Sequence, residues 1–106
     1  WVGDNGDTDN FLSVFFGSWA AEKGTATNYS FYRNERMDTL LLAARAESDS
    51  ERRDALYSEA LELWQRDLPL LPLCHGDNIV AISADFEGFQ LQKIGDLRLS
   101  EVRPKE

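Results

Sequence analysis

The order of elements along this chain of 106 residues, a short strand, then helices, then strands, predicts an α/β or α+β layered structure built around a helical hairpin. Three observations carry that expectation. Met37, Leu40, Leu41 and Ala44 recur at i, i+3, i+4 and i+7, which draws one apolar stripe along a helix. Leu56, Ala60, Leu63 and Trp64 draw a second stripe. After Pro69 the pattern changes to short apolar runs, Leu70 to His75 (LLPLCH) and Asn78 to Ser83 (NIVAIS), which read as strands separated by Gly76-Asp77.

In chain order, residues 1–10 (WVGDNGDTDN) are a short apolar start running into a loop rich in Asp, Asn and Gly. Asn5-Gly6 is a strong turn signal because both residues tolerate positive φ. Phe11 to Phe16 (FLSVFF) is apolar enough to be buried; with Asp9 or Asn10 as N-cap it opens a short helix, against competing β-propensity. Residues 17–33 read as a loop containing Gly17, Gly24, Tyr29, Phe31 and Tyr32. The second helix of the hairpin starts at a capping box, Ser48 with Glu51 three residues on. It carries a Glu62–Arg66 pair expected to contribute ~0.3–0.5 kcal/mol. Pro69 disfavours helical geometry at Leu68 and ends it. Pro72 cannot donate to a sheet ladder, so its strand belongs at an edge or a crossing between layers. Glu87-Gly88-Phe89 is a turn, and Leu97, Leu99 and Val102 alternate beyond it. So few strands leave apolar surface uncovered, which points to a partner segment outside this sequence.

Composition excludes several classes. Hydrophobic residues at 42% and charged ones at 28% are ordinary for a globular domain, so disorder is not expected. The formal charge of −8 and the lack of Lys/Arg clusters argue against a nucleic-acid partner. Cys74 is the single cysteine, so no intrachain disulfide can form. No apolar run approaches the ~18–20 residues of a membrane span. The chain opens on Trp1-Val2-Gly3 without an initiator Met, a basic n-region or an apolar h-region, and reads as the interior of a longer fold.

Three constellations could carry chemistry. Asp4, Asp7 and Asp9 invite a calcium reading, but an EF-hand loop begun at Asp7 needs Gly at its sixth position and meets Leu12. The same carboxylates could instead bond their own turn, or one could meet a ligand ammonium in a cleft. Cys74-His75 are adjacent; on a strand they point to opposite faces and cannot act as nucleophile and base. A buried structural role is expected for Cys74, and His75, the lone histidine, rules out a local His-based zinc site. No nucleophile elbow, phosphate loop or dinucleotide fingerprint occurs, so no catalytic residue, metal or cofactor is expected. Among the aromatics, Trp64 reads as core, whereas Trp19 and the tyrosines of the loop are open to either role. Asn28-Tyr29-Ser30 matches a glycosylation sequon, a triplet common by chance.

Taken in order, WVGDNGDTDNF, NYSFYRNERMDTLLLAAR, ERRDALYSEALELWQRDLPLLPLCH and FEGF resemble the closing region of the family 5 extracellular solute-binding proteins, most of all the dipeptide- and oligopeptide-binding members. Thr8 stands where these relatives usually carry proline, and Trp19 with the following Gly-Thr-Ala-Thr stretch also departs from the pattern. The resemblance implies a C-terminal fragment of a two-lobed, type II periplasmic-binding-protein-like α/β fold. Residues 1–70 would belong to the second lobe and 71–106 to strands crossing the hinge back to the first. It implies that Asp4 binds the free α-amino group of a short peptide, that Trp1, Val2 and Gly3 form a strand pairing with the extended peptide, and that His75 lies near the cleft. The partners implied are the peptide and the permease of an ABC importer. Membrane association would come only through that importer or a lipid anchor outside this sequence. The location would be periplasmic or extracytoplasmic, with a lipoprotein form in Gram-positive bacteria. Related members bind nickel, haem or sugars instead. The contrasting expectation is a free-standing acidic interaction domain or a calcium-dependent module.

Overall fold

The computed structural model describes residues 5–74, 76–77, 79–92 and 97–105. Asp7–Pro72 forms one compact unit, and the described residues from Leu73 onward belong to a second. The first unit is helical: α1 (Asp9–Phe16), a 3₁₀ turn (Ser18–Ala20), α2 (Glu35–Ala46) and α3 (Ser50–Asp67). The second holds four two-residue strands, β1 (Phe86–Glu87), β2 (Gln90–Leu91), β3 (Leu97–Arg98) and β4 (Arg103–Pro104). They pair antiparallel and nested, β1 with β4 outside and β2 with β3 inside. Gly88, between β1 and β2, has φ 81°, and a Cβ there would strike the main chain of Glu101, so the turn requires glycine.

Each helix starts where a side chain meets its orphan N–H groups. Asn34 caps α2, its Oδ1 accepting from Arg36 N (2.9 Å) and Met37 N (3.2 Å). Glu35 and Asp38 add negative charge to the first turn, the favourable sign at a helix N-terminus. The cap of α3 is Asp49, which accepts from Arg52 N at 2.9 Å. The capping box expected at Ser48 is not formed. The backbone N–H groups of Ser48 and Asp49 go to Glu47 Oε1 instead, both at 2.9 Å, and Asp49, an equally good cap one residue later, takes the position. In α1 the cap position is Thr8, not Asp9 or Asn10, and its hydroxyl makes no cap bond; Asp7 Oδ1 serves instead, accepting from Asp9 N at 2.8 Å. Leu68 ends α3 in the left-handed region at φ 44°, its N–H bonded to Trp64 O at 2.8 Å, because Pro69 denies it the helical well.

The stripe on α2 is buried as its spacing predicts, with Met37, Leu40, Leu41 and Ala44 at most 1% exposed. On α3 the buried residues are Tyr57, Ala60 and Leu63, while Leu56 and Trp64 pack at the margin, so the face keeps Ala60 and Leu63 as predicted and takes Tyr57 in place of Leu56 as its third fully buried residue. Leu12 and Phe16 of α1 complete the core. Each fully buried Leu, Phe or Met contributes roughly 1.5–3 kcal/mol of transfer free energy. The expected Glu62–Arg66 pair is not made. Arg66 Nε donates to Asp67 Oδ1 (2.9 Å), a carboxylate already fixed by the Tyr32 hydroxyl (2.6 Å) and Asn34 Nδ2 (3.0 Å). Burial, and then that bond to Asp67, push the Tyr32 phenol up to about 12.

The loop of residues 17–33 is organised around a buried amide side chain. Asn28 is fully buried; its Nδ2 donates to Gly17 O (3.2 Å) and Tyr32 O (2.8 Å), and its Oδ1 accepts from Ser30 Oγ (2.9 Å) and Tyr32 N (3.2 Å). The guanidinium of Arg33 reinforces the 3₁₀ turn by donating to Ser18 O and Ala21 O. Ser30 of the sequon triplet thus has a structural duty toward Asn28, which itself is sealed from solvent.

The strands expected over 70–75 and 78–83 do not form among the described residues of that stretch. Leu71, Leu73 and Ile79 are 70%, 87% and 91% exposed. A strand is held by its ladder partner, and these residues have none among those described, so β-like composition alone leaves them without regular structure. For the same reason Cys74 is exposed, where a buried role was expected.

Candidate functional site

Five residues are implied as ligand-binding by the family resemblance: Trp1, Val2, Gly3, Asp4 and His75. All five lie outside the described residues. The footing of the acidic loop that carries Asp4 is described. Gly6 turns the chain at φ 72° into Asp7. Arg53, from α3, donates through Nη2 to both carboxylate oxygens of Asp7, at 2.7 and 2.8 Å. That bond, with the one from Asp9 N, holds the Asp7 carboxyl below the usual carboxylate range. Asp9 is held by Arg45 of α2, whose Nε and Nη2 reach Oδ2 at 3.2 and 3.0 Å, and it also accepts from the Ser13 hydroxyl. Arg45 lies 5.6 Å from the centroid of the Trp19 ring, a cation–π distance. Beside it an open depression of about 330 Å³ is lined by Asp9, Val14, Trp19 and Arg45 among others.

This geometry bears on the three readings of the aspartates. Asp7 bonds its own turn through Asp9 N, as a self-bonding loop requires. Two of the three carboxylates face arginines, a poor footing for a dication, and no group of three or more metal-ligating side chains occurs among the described residues. Arg45 and Arg53, which build this footing, were not singled out from the sequence. The signal was weak: an Arg spaced 36 or 46 residues from its carboxylate follows no local rule.

No family model matches the chain. It is 32% identical over 105 residues to the probable di/tripeptide-binding protein 5 of Pseudomonas aeruginosa (strain UCBPP-PA14), covering 99% of this chain and 20% of that one. It is 32% identical over 102 residues to the dipeptide-binding protein of Escherichia coli (strain K12), covering 96% and 19%. With the heme-binding protein A of Haemophilus influenzae the identity is 33% over 95 residues, covering 90% and 17%. Among solved structures, HbpA2 from Haemophilus parasuis superposes on the whole chain with a TM-score of 0.87 at 32% identity, over 20% of its own length. The chain therefore spans about a fifth of the length of the relatives it matches, and these are named as binding proteins rather than enzymes. The backbone likeness makes the helical hairpin and short strands part of an α/β, type II periplasmic-binding-protein-like fold. In sequence and backbone alike, the chain belongs to the family 5 extracellular solute-binding proteins.

Proposed function

We propose that this chain is part of the substrate-binding component of a bacterial ABC importer. The component captures short peptides between two lobes outside the cytoplasm and hands them to the permease. The choice of contact residue is supported by the likeness to di/tripeptide-binding relatives, which favours Asp4, and by the engagement of its neighbours Asp7 and Asp9 with arginines. A peptide ammonium enclosed away from water costs several kcal/mol unless it is paired, and a carboxylate supplies that pair. Main-chain pairing by Trp1, Val2 and Gly3 adds affinity without reading side chains, which suits a broad range of peptides. Closure of the lobes is the hinge motion coupled to capture, with the 71–106 segment crossing between lobes and His75 near the cleft. Extracytoplasmic location follows from that role, with lipid anchoring in a Gram-positive host.

The test is calorimetry on the full-length protein as encoded, with L-alanyl-L-alanine and its N-acetyl form. Removing one partner of a desolvated pair costs ~3–5 kcal/mol, so Asp4→Asn should weaken the free-amino peptide by roughly a hundredfold or more and the acetylated one far less. Equal losses would remove the ammonium role. A second reading, haem capture, is favoured by the match to heme-binding protein A. A Soret-band titration with haemin that the dipeptide does not displace would establish it over the first.

A further inference from the structure

The helical unit leaves a second apolar face open. On α3, Leu61, Trp64 and Leu68 recur at i, i+3 and i+7, beside the buried stripe of Tyr57, Ala60 and Leu63. Leu61 and Leu68 are 38% and 53% exposed. On α1, Phe11 and Phe15 lie one turn apart with ring centroids 5.0 Å from each other, and Phe11 is 41% exposed. Phe16 joins the two helices, its ring centroid 6.0 Å from that of Phe11 and 5.9 Å from that of Trp64. Among the described residues one polar side-chain atom is buried with no hydrogen-bond partner, and it belongs to this face: Nε1 of Trp64. A donor shut off from water keeps its full desolvation penalty until an acceptor meets it.

We propose that this face is an internal docking surface, covered in the whole protein by a segment of the same polypeptide that lies outside these 106 residues and offers an acceptor to Trp64 Nε1. The chain spans about a fifth of the length of its relatives, so in a protein of that length most of the polypeptide is available to supply the cover. The orphan donor selects this occupant over the others. A partner that comes and goes, such as a permease, would leave the N–H unmet and the aromatic rings in water whenever it departs. A second copy meeting this face with its own would set donor against donor. A covalently attached segment meets both needs at all times. The inference rests on the length of the relatives and not on the peptide reading.

Hydroxyl-radical footprinting of the full-length protein as encoded, read by mass spectrometry, tests this, with each residue's rate taken relative to its rate in the urea-unfolded protein. Phe11, Leu61 and Trp64 should be oxidised about tenfold more slowly than in the unfolded chain, matching Phe16 and Leu41, which are 0% exposed. Rates nearer to those of the unfolded chain than to those of Phe16 and Leu41 would overturn the inference. So would protection that fades on dilution, which assigns the cover to a second copy, or protection that appears only when the permease is added. Protection that persists at every concentration of the isolated protein supports the inference. For the acceptor, benzothienylalanine in place of Trp64 keeps the shape of the indole and drops its N–H. The urea midpoint of that protein should fall, because the acceptor is left unmet; an unchanged or higher midpoint would overturn the acceptor, since removing an unmet donor costs nothing.

Discussion

The helical unit and the chain beyond Pro72 are both rich in leucine and isoleucine-like residues, yet they treat them in opposite ways. Phe16, Leu40 and Leu41 are at most 1% exposed, whereas Leu73, Ile79 and Leu99 are 87%, 91% and 62% exposed. A stripe with helical period buries itself on the next helix along the chain, because a short connection brings α3 back against α2. A β-like run has no such recourse. It needs a ladder partner and a covering layer from elsewhere in sequence, and the two-residue ladders of β1 to β4 are too short to supply them.

The sharpest way to break this contrast is a matched pair of truncations read by urea denaturation. Leu41→Ala should cost ~2–5 kcal/mol through lost transfer energy and the cavity left behind. Leu73→Ala should stay within about 0.5 kcal/mol. Comparable losses at the two positions would mean that the exposed run is covered in the protein in solution.

A smaller effect tests whether the loop of the helical unit is held by polar bonds as its core is held by apolar ones. Asn28→Ala removes the partner of the buried Gly17 O and of the partly buried Tyr32 O and N; leaving a buried group unmet costs ~1–3 kcal/mol, and the groups at Tyr32 can turn to water. A loss in that range by thermal or urea unfolding is expected, and a change under about 0.5 kcal/mol would show that water replaces Asn28 readily.

The smallest effect is in the acid limb of stability. Asp7 has a folded-state carboxyl held below its ordinary value of 3.8 by the bond from Arg53. Its contribution is therefore fully present above about pH 4 and is lost as pH falls through the lowered folded value. Asp7→Asn should flatten the fall in stability as pH drops below about 4, measured by urea midpoints. An unchanged acid limb would remove the clamp from the acid-sensitive groups.

Much of the helical unit was legible because its signals are local. The α2 stripe, the end of α3 before Pro69 and the turn at Gly88 follow from period, ring sterics and glycine freedom. The caps were legible only to within one or two residues: Thr8 and Asp49 hold positions assigned to Asp9 or Asn10 and to Ser48, since neighbouring acceptors compete within a few tenths of a kcal/mol. The Glu62–Arg66 pair failed because Asp67, fixed by Tyr32 and Asn34 from another segment, offered Arg66 a better seat. The strands after Pro69 failed because composition records a preference for pairing, not the presence of a partner. Of the site, the acidic loop stood out in the sequence, but the arginines that hold it did not, since their partners are distant along the chain.

The burial of Asn28 has a practical consequence for making this protein in cells that decorate secreted chains. The amide nitrogen that a sugar would occupy is spent on Gly17 O and Tyr32 O. Oligosaccharide attached before the loop closes would leave one N–H for two carbonyls and place a sugar in a sealed site, propping the turn open. Material passed through a eukaryotic secretory route should therefore divide into a native, undecorated species and a decorated one that is retained as misfolded, and the sequon should be silenced at Ser30 rather than at Asn28.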